Sequence, residues 1–89
     1  FIIGPCDLSG SMGLLAQTKH PDVKAMMDRI ADKLKAAGKR FGVSMGYDEE
    51  AVRDWAARGA SFLFADNDIN YLYNGACATL SNLKRLSQV

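Results

Sequence analysis

Residues that mark specialised classes of protein are scarce in this chain. Its 89 residues include two cysteines, two prolines, one histidine and one tryptophan. The apolar runs are far shorter than the ~20 residues that cross a bilayer, so no membrane-spanning helix is predicted. Acidic and basic residues are interspersed along the chain, and the formal net charge is +1. The chain therefore has no block of basic residues of the kind that binds nucleic acid. No basic segment precedes the apolar start, so these residues are not expected to be a signal peptide.

The overall composition, 48% hydrophobic and 24% charged, is typical of a globular domain. A chain of this length can bury one small hydrophobic core. Cys6 and Cys77 lie far apart and lack the close spacing of a zinc site. In a chain without secretory features we interpret both as reduced thiols, which predicts a cytoplasmic location. Because the chain begins at Phe1 rather than Met, we expect a fragment or a processed product.

Three strand–helix units follow one another, and the first covers residues 1–38. Residues 1–3 form a short apolar run that predicts the end of a buried strand. A glycine- and serine-rich loop is expected from Gly4 to about His20. Pro21 suits the first position of a helix, and apolar residues recur at helical spacing until Gly38, which suits a left-handed cap.

The second and third units repeat this scheme. Large and small residues alternate over 41–45, which predicts a strand with its large side chains towards the helices. A helix is predicted from about Asp48 to Gly59, with Val52, Trp55 and Ala56 as its buried stripe. The third strand is predicted at 61–65. A long helix follows, for which Asp68 is the expected N-cap and whose apolar stripe consists of Ile69, Leu72, Tyr73, Ala76, Leu80 and Leu83.

The alternation of strands and helices predicts an α/β fold with parallel strands joined by helical crossovers. Helices on one face of the sheet would make part of a barrel, and helices on both faces would make a doubly wound sheet. Periodicity does not choose between the two. Three parallel strands are too few to stand alone, because parallel sheets are covered on both faces. The chain is therefore expected to need further structure.

In either arrangement ligands bind at the carboxyl ends of the strands. The segment after the first strand, Gly4-Pro5-Cys6-Asp7, sets a carboxylate directly after a rigid turn. Such a carboxylate suits a hard cation, Mg²⁺ or Mn²⁺. The alternative is that Asp7 caps the turn with its own side chain.

Several motifs together resemble the HpcH/HpaI aldolase family, whose pattern reads roughly GPxDLSxxxG, HPEV and AGK at similar intervals. The matching segments are GPCDLSGSMG at 4–13, HPDV at 20–23, AGK at 37–39, ARGA at 57–60 and residues 62–68. The likeness covers nearly the whole chain, and its first half is the more specific.

The resemblance implies a (β/α)8 (TIM) barrel of which residues 1–89 would be the C-terminal (βα)3 portion, about strands six to eight of a single domain. It implies a class II aldolase, a carbon–carbon lyase that forms pyruvate and an aldehyde from 4-hydroxy-2-oxo acids through pyruvate enolate. Asp7 would bind a divalent metal, Mg²⁺ or Mn²⁺ with Co²⁺ as an alternative, together with a glutamate from an earlier strand. The metal would bind the keto acid and stabilise the developing charge.

By the same likeness, the backbone N–H groups of Cys6 and Asp7 would lie near the substrate carboxylate, and Ser44 would line the pocket at a commonly apolar position. The catalytic histidine, the arginine and the metal's glutamate would lie upstream, so this segment would hold no catalytic residue and would be inactive alone. The last helix is exchanged between subunits in the family, which implies a homo-oligomer with that helix at the interface. The implied partner is a keto acid, with no nucleic acid or membrane.

Two departures and two alternatives accompany this interpretation. The family has Gly-x-Asp after its last strand where this chain has Asp66-Asn67-Asp68. Cys6 stands where a citrate lyase β-like enzyme, which acts on CoA thioesters, tends to carry an acid. That enzyme class is one alternative, and a non-catalytic βα interaction module is the other. His20 precedes Pro21 at the start of a predicted helix, and in the family pattern this position is structural and not that of a catalytic base.

Overall fold

Three strands and four helices alternate in the computed structural model, which describes residues 1–88. The strands pair in parallel in the order β1-β2-β3 and are β1 (Ile2–Ile3), β2 (Gly42–Met45) and β3 (Phe62–Ala65). The helices are α1 (Pro5–Ser11), α2 (Pro21–Ala36), α3 (Glu49–Arg58) and α4 (Asp68–Ser87). The predicted α/β class, with parallel strands linked by helices, is confirmed.

The predicted ends of α2 and α3 are also confirmed. Pro21 is the first residue of α2, and Gly38 follows its end with a φ of +68°. The Asp48 carboxylate accepts a hydrogen bond from the Ala51 N–H, 3.0 Å away, and so caps the start of α3. Gly59 ends α3 with a φ of +97°, a conformation that favours glycine.

The expected loop from Gly4 to His20 was wrong over its first part, where α1 forms. Pro5 occupies the first helical position, and the Leu8 N–H donates to the Gly4 carbonyl at 2.9 Å. Helix α1 has only seven residues, two of them serine and one glycine. A helix this short covers too few turns for apolar periodicity to reveal it.

The N-cap of α4 is Asn67 rather than Asp68. The Asn67 side chain accepts a hydrogen bond from the Asn70 N–H at 2.9 Å. Asp68 is the first helical residue, and its carboxylate accepts from the neighbouring Ile69 N–H. Asparagine and aspartate cap helices about equally well, so the sequence alone does not separate adjacent candidates.

One face of the sheet carries the buried core. The strands, with Phe41 just before β2, pack against α2 and α3 in a cluster of Ile3, Val23, Met27, Ala31, Phe41, Val43 and Trp55. Of the predicted stripe of α3, Trp55 is buried, Val52 is half-buried and Ala56 is exposed, and Ala51 packs against the core instead. Because α2 and α3 cover the same face, the arrangement is the one-sided type expected for part of a barrel.

The opposite face of the sheet is bare. Alternation along the strands places Ile2, Gly42, Ser44, Phe62 and Phe64 on this face. Ile2 and Phe64 are 57% and 52% exposed. The Phe62 ring lies over Gly42, so close that a side chain at position 42 would displace it. Parallel sheets are normally covered on both faces, and this uncovered face matches the expectation that the chain needs further structure.

Helix α4 extends away from this core. None of its residues, Asp68 to Ser87, is buried, and its apolar stripe includes Leu72, which is 76% exposed, and Ile69, which is 73% exposed. Within residues 1–88, no helix has the length and apolar character needed to span a bilayer.

Candidate functional site

The carboxyl ends of the three strands bring the predicted site residues to one edge of the sheet. Helix α1 begins directly after β1 and carries Cys6 and Asp7 in its first turn. Ser44 lies in β2, in register with Phe64 of β3. Both Cys6 and Asp7 are exposed, so their polar groups are free to meet a ligand. This is the edge at which parallel α/β folds bind their ligands.

The Asp7 carboxylate folds back over Gly4, the residue that links β1 to α1. A Cβ atom at position 4 would lie 2.8 Å from Asp7 Oδ2, closer than such atoms approach in proteins. Gly4 therefore leaves the space that the carboxylate occupies above the end of the strand. Gly4 adopts an ordinary extended conformation, so the requirement for glycine here is one of space.

A cleft of about 240 Å³ opens beside this turn, among α1, α2, α3 and the end of β2. Cys6 lines it, and so does residue 44 at the end of β2, although the Ser44 side chain belongs to the opposite, bare face of the sheet. Asp7 is not among the lining residues and stands outside the cleft. Buried or half-buried side chains of Met27, Met45 and Trp55 supply apolar lining.

Two lysines along this cleft form ion pairs with acidic residues near the start of α3. Lys19 lies in the loop before α2, and Lys24 lies in α2 itself. Lys19 Nζ lies 3.2 Å from Glu50 and 3.5 Å from Asp48, and Lys24 Nζ lies 3.6 Å from both Glu50 and Asp54. The hydrogen bond to Glu50, followed by the charges of Asp48 and Glu50, raises the pKa of Lys19 above its ordinary value. Lys19 is therefore cationic at neutral pH, and the ion pairs of both lysines link the two segments.

Arg58 closes the inner side of the cleft by stacking on Trp55. Its guanidinium carbon lies 4.8 Å from the centre of the Trp55 ring, and its Nε donates to the Asp28 carboxylate at 2.7 Å. The Arg58 side chain is only 11% exposed. The stack and the ion pair together fix α3 against α2.

Ser9 links the Asp7-bearing turn to the loop that follows it. Its hydroxyl donates to the Cys6 carbonyl at 2.7 Å and accepts from the Ala16 N–H at 3.1 Å. Ser9 is fully buried and is the one buried polar residue in the described part of the chain. The sequence places Ser9 in a motif but gives no sign of this role, because the bond to Ala16 depends on how the loop folds back.

His20 acts as the N-cap of α2, in keeping with its predicted structural position. Its Nδ1 accepts a hydrogen bond from the Asp22 N–H at 3.1 Å. Cys6 and Cys77 both carry free, exposed thiols.

The donors present in this segment limit what it can bind by itself. Residues 1–88 contain no group of three or more histidine, cysteine, aspartate or glutamate side chains placed to hold a metal ion. The acids of the cleft, Asp48, Glu50 and Asp54, are engaged by lysines. Asp7 is therefore one exposed carboxylate that needs further ligands from outside the segment to hold a metal.

Comparisons with known proteins identify relatives along most of the chain. A hydroxypyruvate/pyruvate aldolase from Roseobacter denitrificans is 36% identical over 72 residues, which are 81% of this chain and 28% of the relative. A 4-hydroxy-2-oxo-heptane-1,7-dioate aldolase from Salmonella paratyphi B is 35% identical over 74 residues, 83% of this chain and 28% of the relative. No protein-family model matches the chain.

The fold has a similar counterpart among solved structures. An HpcH/HpaI aldolase/citrate lyase family protein from Burkholderia cenocepacia superposes with a TM-score of 0.84 at 30% identity, over 93% of this chain and 32% of that protein. The resemblance to HpcH/HpaI aldolases is thereby confirmed in both sequence and fold. The chain spans less than a third of the length of these relatives.

Proposed function

We propose that this chain forms the C-terminal part, about strands six to eight, of a single-domain (β/α)8-barrel aldolase of the HpcH/HpaI type. The complete protein would cleave 4-hydroxy-2-oxo acids to pyruvate and an aldehyde. The observation that carries the proposal is the Asp7 carboxylate, held over Gly4 at the carboxyl end of β1 in a chain whose relatives are named as aldolases. The bare face of the sheet supports the barrel, because the remaining strands would cover it.

Asp7 fits the role of a metal ligand in this proposal. Its carboxylate is exposed, and Gly4 leaves it space above the strand end. Carboxylate oxygens are the donors that Mg²⁺ and Mn²⁺ prefer, and Co²⁺ is an alternative. The upstream part of the protein would supply the other donors. When bound, a divalent ion supplies Lewis-acid stabilisation of the charge that develops as the carbon–carbon bond breaks.

The residues of this segment would bind and orient the keto acid. The backbone N–H groups of Cys6 and Asp7 lie in the first turn of α1, where helical N–H groups have no partner within the helix. In the proposed enzyme they donate hydrogen bonds to the substrate carboxylate, and the helix end favours its negative charge. Ser44, on β2, lines the part of the pocket that receives the aldehyde. No catalytic residue is assigned to the segment, which would be inactive alone.

The complete protein is further proposed to be a cytoplasmic homo-oligomer. Leu72, Leu80 and Leu83 in the apolar stripe of α4 are each more than half exposed. Apolar surface of this kind is stabilised when a partner removes it from water. A second copy of the same protein is the proposed partner, with α4 at the subunit interface, and no nucleic acid or membrane is involved.

The test is pyruvate release from a 4-hydroxy-2-oxo acid by the complete protein, with and without EDTA. We expect release to stop in EDTA and to return when Mg²⁺ or Mn²⁺ is added in excess, because the chelator removes an ion that the reaction needs. A parallel sample treated with EDTA already saturated with Mg²⁺ controls for effects of the chelator itself.

Two outcomes of this test would contradict the proposal. Pyruvate release that is unaffected by EDTA would exclude the metal-dependent mechanism. Absence of release with Mg²⁺, Mn²⁺ and Co²⁺, each added in turn, would exclude the aldolase. The next assay would then measure cleavage of a CoA thioester, since the relative of known structure is named for both aldolase and citrate lyase.

The substitution Ser44→Leu is expected to shift substrate preference towards apolar aldehydes. Ser44 is an exposed hydroxyl on the bare face of β2, and leucine there would replace a polar contact with an apolar one. Changes of this size in a pocket alter the ratio of kcat/KM between substrates by about 10-fold. The measurement is that ratio for a hydroxylated and an alkyl aldehyde. Ser44→Thr, which keeps the hydroxyl, is the control, and an unchanged ratio in Ser44→Leu would remove Ser44 from the site.

A further inference from the structure

The Ser9 hydroxyl is the middle link of a short chain of hydrogen bonds beside the turn that carries Asp7. Its oxygen accepts from the Ala16 N–H at 3.1 Å, and it donates its proton to the Cys6 carbonyl at 2.7 Å. A backbone N–H can only donate, so the bond from Ala16 leaves the hydroxyl proton for the carbonyl. The chain of bonds therefore has one direction, from the loop towards α1.

The loop that follows α1 is held by the same residue. The Ser9 carbonyl accepts from the Leu14 N–H at 2.8 Å, so the backbone and the side chain of Ser9 bind the loop at two points. Ala16 has a φ of +62°, which is uncommon outside glycine and persists only where surrounding contacts hold it. Ser9 is fully buried, and both partners of its hydroxyl lie in α1 or this loop. The hydroxyl is thus satisfied within the described part of the chain.

The carbonyl that Ser9 holds belongs to the same peptide unit as the Asp7 N–H. A trans peptide unit is planar, so its C=O and N–H groups point in opposite directions and turn together. Fixing the Cys6 carbonyl at one end therefore fixes the direction of the Asp7 N–H at the other. Hydrogen bonds in a chain also polarise one another, so a bond to this carbonyl makes the N–H a stronger donor.

The Asp7 N–H is available to a ligand. The first hydrogen bond of α1 runs from the Leu8 N–H to the Gly4 carbonyl at 2.9 Å, so Cys6 and Asp7 precede the hydrogen-bonded turns. Neither of their N–H groups donates to another group within residues 1–88. In the proposed function, both donate to the substrate carboxylate.

We propose that Ser9 is a positioning residue for keto-acid binding, whose hydroxyl holds the Cys6 carbonyl and so directs the Asp7 N–H at the substrate carboxylate. The identity of the ligand rests on the proposed function. The orientation of the peptide unit does not rest on it, because it follows from two hydrogen bonds of a buried side chain.

Two serines of α1 provide a matched pair of variants. Ser9→Ala removes the bond to the Cys6 carbonyl, and Ser11→Ala removes a bond of the same kind, from the Ser11 hydroxyl to the Leu8 carbonyl at 2.7 Å. The Leu8 carbonyl shares its peptide unit with the Ser9 N–H, which has no part in the proposal. An effect specific to the Asp7 N–H is therefore expected in Ser9→Ala alone.

The first measurement follows the Cys6–Asp7 peptide unit by NMR in the complete protein. Cysteine labelled with ¹³C at its carbonyl and aspartate labelled with ¹⁵N select peptide units in which aspartate directly follows cysteine, as at Cys6–Asp7. Loss of the signal in Cys6→Ser identifies it. We expect the Asp7 amide signal to move in Ser9→Ala and to stay in place in Ser11→Ala. We also expect it to move when pyruvate is added to the wild-type protein with Mg²⁺.

The second measurement separates a positioning role from a merely structural one. With Mg²⁺ present, Ser9→Ala is expected to bind pyruvate about 10-fold more weakly than the wild-type protein, because a hydrogen bond to a charged group is lost or misdirected. KM for the 4-hydroxy-2-oxo acid is expected to rise with little change in kcat, since the carboxylate is held equally before and during the reaction. Partial unfolding would instead lower kcat per mole of protein at an unchanged KM. Ser11→Ala is expected to keep both values.

Three outcomes would overturn the proposal. They are an unmoved Asp7 signal in Ser9→Ala, equal pyruvate affinities in Ser9→Ala and Ser11→Ala, and a wild-type Asp7 signal that pyruvate does not move. Should Ser9→Ala not fold, Ser9→Cys replaces it, because a thiol is a weaker donor of similar shape. Weaker pyruvate binding is again expected, and wild-type affinity would overturn the proposal.

The aldolase assay fails or succeeds independently of these measurements, because pyruvate binds without any carbon–carbon bond being broken. A protein whose Asp7 signal responds to pyruvate, and whose response is weakened in Ser9→Ala, supports the role of Ser9 even if no 4-hydroxy-2-oxo acid is cleaved. A protein that releases pyruvate with equal KM in Ser9→Ala and Ser11→Ala would keep the proposed function and lose the role of Ser9.

Discussion

Pyruvate release by the complete protein is expected to fall by about 100-fold or more when Asp7 is replaced by asparagine. Substitution of a residue that only hydrogen-bonds to a metal ligand already lowers activity by about 10- to 100-fold. Loss of a carboxylate that binds the metal directly is expected to cost at least as much. Asparagine matches the shape of aspartate, so it would still fit in the space above Gly4. It lacks the negative charge, however, and a neutral amide oxygen is a weaker donor for a divalent ion. The measurements are kcat/KM at limiting metal and the metal dissociation constant from calorimetry.

The same substitution at Asp22 provides a matched control. Asp22 also lies in the first turn of a helix that begins with proline, and its side chain is 76% exposed. Asp22→Asn is expected to leave both the rate and the metal affinity unchanged. Native metal affinity in Asp7→Asn would return Asp7 to the alternative role of capping its own turn.

The elements that could be predicted from the sequence are those whose signals are local. Helix α2 has a proline at its start, a glycine past its end and a repeated apolar stripe between them, and all three agree with the structure. Helix α1 has Pro5 at its start and Gly13, with a φ of +74°, just past its end, but it lacks the repeated apolar stripe. Its hydrogen bonds include one from buried Ser9, and burial is decided by the tertiary fold.

The site divides in the same way. A carboxylate after Gly4-Pro5 and a serine in an alternating strand can be read from the chain, and both lie at the carboxyl edge of the sheet. The ion pairs of Lys19 cannot be read, because Glu50 is 31 residues away and meets Lys19 only after α2 and α3 have packed. Sequence spacing carries no information on such a contact.

Asp66 lies between these two cases. The resemblance marks its position as one where relatives have glycine, and the structure has a positive φ there. The backbone shape is thus explained by the pattern of the family, and the use of aspartate is explained by hydrogen bonds that this chain makes to Asn67 and Asn70. At this position, where the family pattern has glycine, the aspartate adopts a positive φ and makes side-chain hydrogen bonds that glycine cannot make.

The substitution Trp55→Ala is expected to lower the free energy of unfolding by about 3–5 kcal/mol, the range for removing a large aromatic side chain from a core. Trp55 is 2% exposed and belongs to the cluster in which α2 and α3 meet the sheet. Its loss would also leave Arg58, stacked on the ring at 4.8 Å, without that contact. Urea unfolding of the complete protein, followed by circular dichroism, measures the change.

Two variants determine whether packing at Trp55 causes this loss. Trp55→Phe retains an aromatic ring and is expected to lose less stability than Trp55→Ala. Tyr47→Ala removes an aromatic side chain that is 67% exposed, and surface changes of this kind stay within about 0.5 kcal/mol. Equal losses in Trp55→Ala and Tyr47→Ala would contradict the assignment of Trp55 to the core. A large loss confined to position 55 would mean that the packing of α2 and α3 depends on the Trp55 ring. That packing places Asp48, at the start of α3, beside Lys19 at the cleft.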